Sequence, residues 1–298
     1  MQFLTKNEFI RMFIYAKEEI ESKKEEINKI NVFPVPDQDT GRNLLETLKG
    51  IVKVIEENKN RPFKNFLERI LEGALISSQG NSGLIFTSFL AGFTEKLAPL
   101  GEPVDAKKLS FGFEKGNQKA KESIEKPQKG TILDVISSFC FTFKKEVKKT
   151  NNILFLFKKA LQKAHQSLIE TQKKLPILEK AGVVDAGGLG MFLIFKGWLE
   201  GLLKKRERKI STKIERRKFF HLPTLKYELI FLIKNPKKNT KYFGKKFSLL
   251  GNSLEILKVK DLLKIHIHTN FPEKVIEIAK KEGEILDLKI ENLGKVLK

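Results

Sequence analysis

Cysteine is all but missing from this chain: Cys140 is the only one in 298 residues. A disulfide framework is excluded on that count, and the lone thiol fits a reducing compartment. It lies in the apolar run Ile136–Phe143, where a buried, inert thiol is expected rather than a nucleophile. The N-terminus lacks a charged start followed by an apolar run and a small-residue cleavage site, so a cytoplasmic location is expected. Long apolar runs are missing too. The longest, around Leu189 to Leu203, carries Lys196 and Glu200 and is too short to span a bilayer. Neither Walker-A spacing nor the Rossmann fingerprint occurs, so a common nucleotide fold is not indicated, and no solenoid-type repeat stands out.

Acid is scarce relative to base, with 36 Asp and Glu against 57 Lys and Arg, a net charge of +21. Such a charge helps to attract nucleotides and anionic phospholipid surfaces, so peripheral membrane contact is compatible with it. The basic residues are mostly Lys spread beside Glu, as in Lys17–Glu26, which is the pattern of solvated helix faces with i,i+4 pairing. The one dense block, Lys204–Lys218, has no stacking-type aromatics interleaved before Phe219 and Phe220. It is expected to be a charged interdomain linker rather than a binding arm, and no specific nucleic-acid partner is expected.

What is abundant is core material: 41% hydrophobic residues, 24 of them Phe. The length leaves room for two domains. Thr5 to Glu8 is a capping-box pattern heading a long amphipathic helix to about Asn28. Further helical periodicities cover about 43–58, 62–77, 82–97, 106–122, 132–148, 153–173 and 188–206. Roughly eight helices joined by short loops imply an all-α bundle or helical barrel. Beyond the basic block the pattern changes to strands at 227–233, 253–259 and 262–268, a short helix from Pro272 to about Lys281, and a closing strand at 285–290. The expected organisation is a helical domain at 1–205, a linker at 206–222, and a small α+β sandwich domain at 223–298.

The richest stretch is Asn31–Asn43. Asp37 and Asp39 sit one residue apart in a loop stiffened by Pro34 and Pro36, and alternate residues of an extended segment point the same way. Two convergent carboxylates suit a hard cation such as Mg²⁺, and the helix start at Thr40-Gly41-Arg42-Asn43 suits a phosphate. A plain Asx-type helix cap accounts for the same spacing. Three more junctions put small polar residues and glycines at helix starts: Gly80-Asn81-Ser82-Gly83, Gly130-Thr131, and Asp185-Ala186-Gly187-Gly188. Each is explained singly by a turn with an N-cap; together, in one helical domain, they favour phosphate binding.

These motifs, in this order and spacing, resemble the ATP-binding domain of the dihydroxyacetone kinase L-subunit family, in the bacterial branch represented by the ATP-binding component of fatty acid kinase. The resemblance covers about residues 3–205 and implies an antiparallel eight-helix barrel. It implies further that Asp37 and Asp39 hold Mg²⁺ on the phosphates of ATP, with Asn31 near the place of a third metal ligand. Thr40, Gly41 and Asn43 would line the phosphate turn opposite Asn81 and Ser82, while Gly130, Thr131, Asp185, Ala186 and Gly187 would close around the nucleotide. Gln38 stands where the family has glycine, Ser78-Gln79 where it has Ala-Arg, and Lys129 where a glutamate is common. The C-terminal part resembles that branch's middle domain. His266 and His268 share one strand face, a spacing suited to Zn²⁺, with Glu228 at about the place of a cysteine in relatives; a pair of half-buried strand histidines is the other reading. The branch continues into a further C-terminal domain that this chain is expected to lack. The resemblance implies a phosphotransferase acting on a fatty acyl carboxylate presented by a separate fatty-acid-binding protein. The alternatives are the ATP-binding component of a dihydroxyacetone (glycerone) kinase and a catalytically weak ATP-binding regulator or scaffold, and a homodimer is compatible with any of these.

Overall fold

The computed structural model describes residues 1–204 and 225–293. The segment expected to be a linker, 206–222, lies outside the described residues.

Thr5 starts helix α1 (Lys6–Lys29), its backbone N–H donating to Glu8 Oε2 at 2.8 Å, as the capping pattern requires. Seven more long helices follow: α2 (Thr40–Asn58), α3 (Phe63–Ser77), α4 (Gly80–Leu97), α5 (Ala106–Glu122), α6 (Ile132–Glu146), α7 (Ile153–Lys174) and, after the short α8 (Pro176–Ala181), α9 (Ala186–Leu203). The sequence pattern missed α8, whose six residues are too few to show a period, and the two-residue strands β1 (Phe3–Leu4) and β2 (Val104–Asp105) that pair antiparallel. Contacts between successive long helices are antiparallel: Gly41 meets Lys24, Gly73 meets Val54, Gly92 meets Lys115, and Ser138 Oγ donates to the Lys163 carbonyl. α9 lies against α1, α2, α6 and α7.

Helix α9 differs from the others in being apolar almost all round, as a central helix must be. Its 18 residues have the length and apolarity to cross a membrane, contrary to the expectation from length alone, yet 89% of it is buried within the protein. Its two charges are neutralised in place. Lys196 pairs with Glu200 at 2.8 Å and with Glu19 of α1, and these carboxylates outweigh the burial that would otherwise lower the Lys196 pKa. Around α9 the phenylalanines interlock. Phe89, Phe93, Phe113, Phe139, Phe143, Phe157 and Phe195 meet edge-on or offset around Trp198, with Phe139 and Phe195 stacked at 3.9 Å. Cys140 is buried in α6, and burial pushes its thiol far up, as expected of an inert core residue.

The second part is a four-stranded antiparallel sheet of order β4-β5-β3-β6, from β3 (Tyr227–Lys234), β4 (Gly251–Val259), β5 (Leu262–Thr269) and β6 (Glu284–Asn292). Helices α10 (Thr240–Phe247) and α11 (Pro272–Glu282) bury Phe243, Phe247, Val275 and Ala279 against Leu229, Phe231, Ile265 and Ile267 on one face. Helix α10 was not expected; its traces in the sequence are the N-cap Asn239 and Phe243 and Phe247 at i,i+4 among lysines. The other face is pressed onto the helical body, where Leu232 and Leu257 meet Leu75, Leu84 and Ala91 of α3 and α4. Strand pairing arranges that face in three rows crossing the sheet: Asn252–His268–Glu228–Glu291, then Glu255–His266–Ile230–Lys289, then Leu257–Lys264–Leu232–Leu286. The third row docks the sheet. The first two bring polar groups to a cavity.

Candidate functional site

A cavity of about 290 Å³ lies between the helical body and the sheet, and the starts of α2, α4, α6 and α9 all reach it through Thr40, Gly80, Thr131 and Gly187. Four helix N-termini converging on one cavity direct their positive dipole ends at whatever it holds. Asp37 and Asp39 stand at its centre. Asp39 precedes α2 but makes no cap bond, so its carboxyl is left for the cavity and for Arg42, 3.2 Å away. The Asn31 side-chain amide donates to Asp37 Oδ1, so Asn31 braces Asp37. Burial first, then the charge and hydrogen bond of Asp39, push the Asp37 carboxyl well above the usual carboxylate range, and Glu228 from the sheet adds to this. Asp39 is pushed up by burial and by Glu228, against the pull of Asp37, Asn43 and Arg42. Two enclosed carboxyls that resist ionisation side by side suit a cation that would hold both anionic.

The neighbouring turns follow from their residues. Gly80 has φ +55, the left-handed region that favours glycine, and a Cβ there would push against the Asn43 side-chain amide at 2.2 Å as α4 begins beside α2. Asn81 Oδ1 is buried and has no partner. Asp185 caps α9, accepting from the Gly188 N–H at 2.7 Å, and its own N–H donates to Thr171 Oγ1. Burial raises the Asp185 carboxyl to about 7, against hydrogen bonds from the Gly188 and Ile132 amides.

The sheet supplies the opposite wall. Glu228 Oε1 lies 2.8 Å from His266 Nε2 and 3.7 Å from His268 Nε2, and one ligand atom from each of the three falls within 4.8 Å of the others. All three are buried, so the expectation of half-buried histidines does not hold. His266 Nδ1 donates to the Ser253 carbonyl at 3.0 Å, since a carbonyl only accepts, and the opposite ring nitrogen, Nε2, faces Glu228. Both ring nitrogens of His268 are buried without a partner. That is the arrangement of imidazoles that hold a metal, one of them oriented by a backbone carbonyl, and the donor set suits Zn²⁺. Burial raises the Glu228 carboxyl, but His266 at 2.8 Å and His268 at 3.7 Å outweigh it and hold the group well below the usual range. Burial lowers the His268 pKa.

Of the residues singled out from the sequence, Asn31, Asp37, Asp39, Thr40, Asn43, Asn81, Ser82, Thr131, Asp185, Gly187, Glu228 and His268 line the cavity. Gly41, Gly130, Ala186 and His266 do not. Gly41 serves packing: its N–H is taken by Asn28 Oδ1 at 2.8 Å, and a Cβ would strike the Lys24 carbonyl at 2.4 Å. Gly130 shapes the turn before α6 with φ +82, its N–H held by Asp134. Sequence reasoning missed Glu255, whose buried Oε2 has no partner and whose carboxyl is pushed well up by burial and then by Glu228. The hairpin turn at Lys260-Asp261 sets Glu255 opposite His266, so counting back from that turn would have found it.

Fold and site together define a two-part protein of a kinase family. Residues 34–200 match the DAK2 domain, and residues 224–297 match the FakA-like middle domain of fatty acid kinase. The chain belongs to the DAK2 domain family. It is 28% identical over 301 aligned positions to uncharacterized proteins of Staphylococcus aureus strains USA300 and NCTC 8325, covering 96% of this chain and 55% of theirs. The chain thus spans about half the length of the curated relatives it matches. Among solved structures, the dihydroxyacetone kinase from C. freundii in complex with AMP-PNP and Mg²⁺ aligns with a TM-score of 0.49 at 15% identity, over 64% of this chain and 33% of that one.

Proposed function

We propose that this protein is a cytoplasmic Mg-ATP-dependent phosphotransferase whose acceptor is a fatty acyl carboxylate presented by a separate lipid-binding protein. The observation that carries the reading is the pair Asp37 and Asp39, enclosed and crowded together where four helix N-termini meet. Asp37 and Asp39 would hold Mg²⁺, braced by Asn31, and the metal would neutralise phosphate charge. Thr40, Asn43, Asn81, Ser82 and Thr131 offer hydroxyls, amides and backbone N–H groups to the phosphates, and Gly187 and Asp185 shape the start of α9 beside them. Positioning and charge neutralisation carry most of phosphoryl transfer, and a carboxylate acceptor needs no general base. Glu228, His266 and His268 would hold Zn²⁺, which would satisfy one of the two buried His268 nitrogens. The match of the second part to the middle domain of fatty acid kinase supports the acyl acceptor.

Calorimetric titration with ADP tests this. Binding is expected only with Mg²⁺ and is expected to disappear in Asp37→Asn/Asp39→Asn. Folded protein that binds no nucleotide under either condition would refute the reading.

A further inference from the structure

Large exposed apolar side chains gather at the end of the helical body remote from the cavity. Phe141 is 69% exposed, Phe3 54%, Phe111 51% and Phe155 43%, with Met1 and Leu100 beside them. Contacts bring the segments that carry them to the same end of the helical body. The Ile153 N–H at the start of α7 donates to the Met1 carbonyl, Phe3 pairs with Asp105 just before α5, and Lys108 in the first turn of α5 donates to the Leu100 carbonyl. Phe155 lies in the first turn of α7, and Phe111 in the second turn of α5. Phe141 is one turn before Lys144, which pairs across to Glu114 of α5. The cavity occupies the other end, where α2, α4, α6 and α9 begin.

Lysines surround these rings. Lys96 and Lys159 each lie 5.9 Å from the ring centres of Phe111 and Phe155. Among the described residues, exposed Lys107, Lys145, Lys148 and Lys158 have no ion-pair partner. The acids nearby are spent internally: Glu114 on Lys144, Glu146 on Lys149, Glu95 on Lys119, and Glu102 on the Lys6 N–H. Exposed phenylalanines among unpaired lysines have the chemistry that settles into an anionic headgroup layer, the rings entering its apolar edge and the ammonium groups meeting its charge. A patch of this kind on a monomer marks a contact surface.

We propose that this end of the helical body docks on an anionic phospholipid surface, leaving the cavity and the sheet facing away from it. The proposal does not depend on the nucleotide reading, since no residue of the face lines the cavity.

Cosedimentation with vesicles of phosphatidylcholine, with or without phosphatidylglycerol, tests it. Binding is expected only with phosphatidylglycerol and is expected to weaken as salt rises. Lys145→Glu/Lys148→Glu/Lys158→Glu is expected to lower partitioning at least about tenfold. Lys241→Glu/Lys245→Glu/Lys246→Glu, the same charge change on α10, is expected to leave it unchanged within about twofold, because α10 packs on the face of the sheet opposite the helical body. Phe141→Trp, which keeps an aromatic at the most exposed position, is expected to show a blue-shifted emission on vesicles. Three results would overturn the proposal: no vesicle binding by the wild type, equal losses in the two lysine variants, or a concentration-dependent dimer that Phe141→Ser dissociates. ADP binding by the same variants keeps the two readings apart.

Discussion

The two walls of the cavity are built by different means. The helical wall is made of chain reversals: each group sits at the start of a helix, its position set by local turn chemistry such as the Asp185 cap and the left-handed Gly80. The sheet wall is made of register: Asn252, His268, Glu228 and Glu291 come together because four strands pair in one alignment, although Glu228 and Glu291 are far apart in sequence. A turn can be altered at one place with local effect, whereas a slip of one residue in a strand would turn its whole polar row away from the cavity. The helical wall should therefore tolerate small insults that the sheet wall does not.

Gly251→Ala against Gly80→Ala puts the difference to its hardest test. A Cβ at Gly251 would lie 1.9 Å from the His268 carbonyl oxygen, an atom that moves only if β4 and β5 part. A Cβ at Gly80 would meet the far end of the Asn43 side chain, which can rotate, so the cost there is mainly that of φ +55. Urea denaturation is expected to show a loss of about 3 kcal/mol or more for Gly251→Ala and about 1–2 kcal/mol for Gly80→Ala. Equal losses would erase the distinction.

The walls should also respond oppositely to pH in metal-free protein. Asp185, raised from 3.8 to about 7, binds its proton more tightly folded than unfolded, so its contribution to stability falls as pH rises between those values. Lys264 is buried in the docking row, and burial lowers its pKa from 10.5 to about 8; the unfolded chain holds that proton more tightly, so stability rises across that interval. Asp185→Asn should flatten the acid-side decline by on the order of 4 kcal/mol, and Lys264→Met should abolish the alkaline rise. Thermal unfolding midpoints across pH would read both slopes.

The same contrast explains what the sequence disclosed. Helix starts advertise themselves locally, so the boundaries of α5 and the groups Asp37, Asp39, Asn81, Thr131 and Asp185 were legible from caps, glycines and periodicity. Glu228 and the two histidines were found by strand alternation and by resemblance, but nothing local said that they would face Asp37 rather than solvent. That follows from the Leu232 and Leu257 row docking on α3 and α4, a contact between distant segments. Glu255 escaped because only the count back from the Lys260-Asp261 turn places it on the cavity face, while on its N-terminal side the register shift between Asn252 and Glu255 breaks the alternation. Gly41 misled for the opposite reason: a glycine at a helix start suggests a phosphate, and here it lets α1 and α2 touch.

Each wall also contains one residue held in a conformation that glycine adopts more easily: Gln38 with φ +57 between the two aspartates, and Ser253 with φ +50 at the bulge beside His266. For a side chain other than glycine, asparagine or aspartate, the left-handed region costs on the order of 1 kcal/mol, partly returned in Gly variants by the greater freedom of the unfolded chain. Gln38→Gly should therefore stabilise by about 0.5 kcal/mol, because the exposed Gln38 side chain makes no hydrogen bond that would be lost. Ser253→Gly should gain less, because the bulge is fixed by its neighbours: the Ser253 carbonyl holds His266 Nδ1, and Glu255 bridges to Ile124. Urea midpoints of the two variants would decide. A larger gain at Ser253 than at Gln38 would mean that the strain sits in the sheet wall, and that its register is held in place despite the bulge rather than by it.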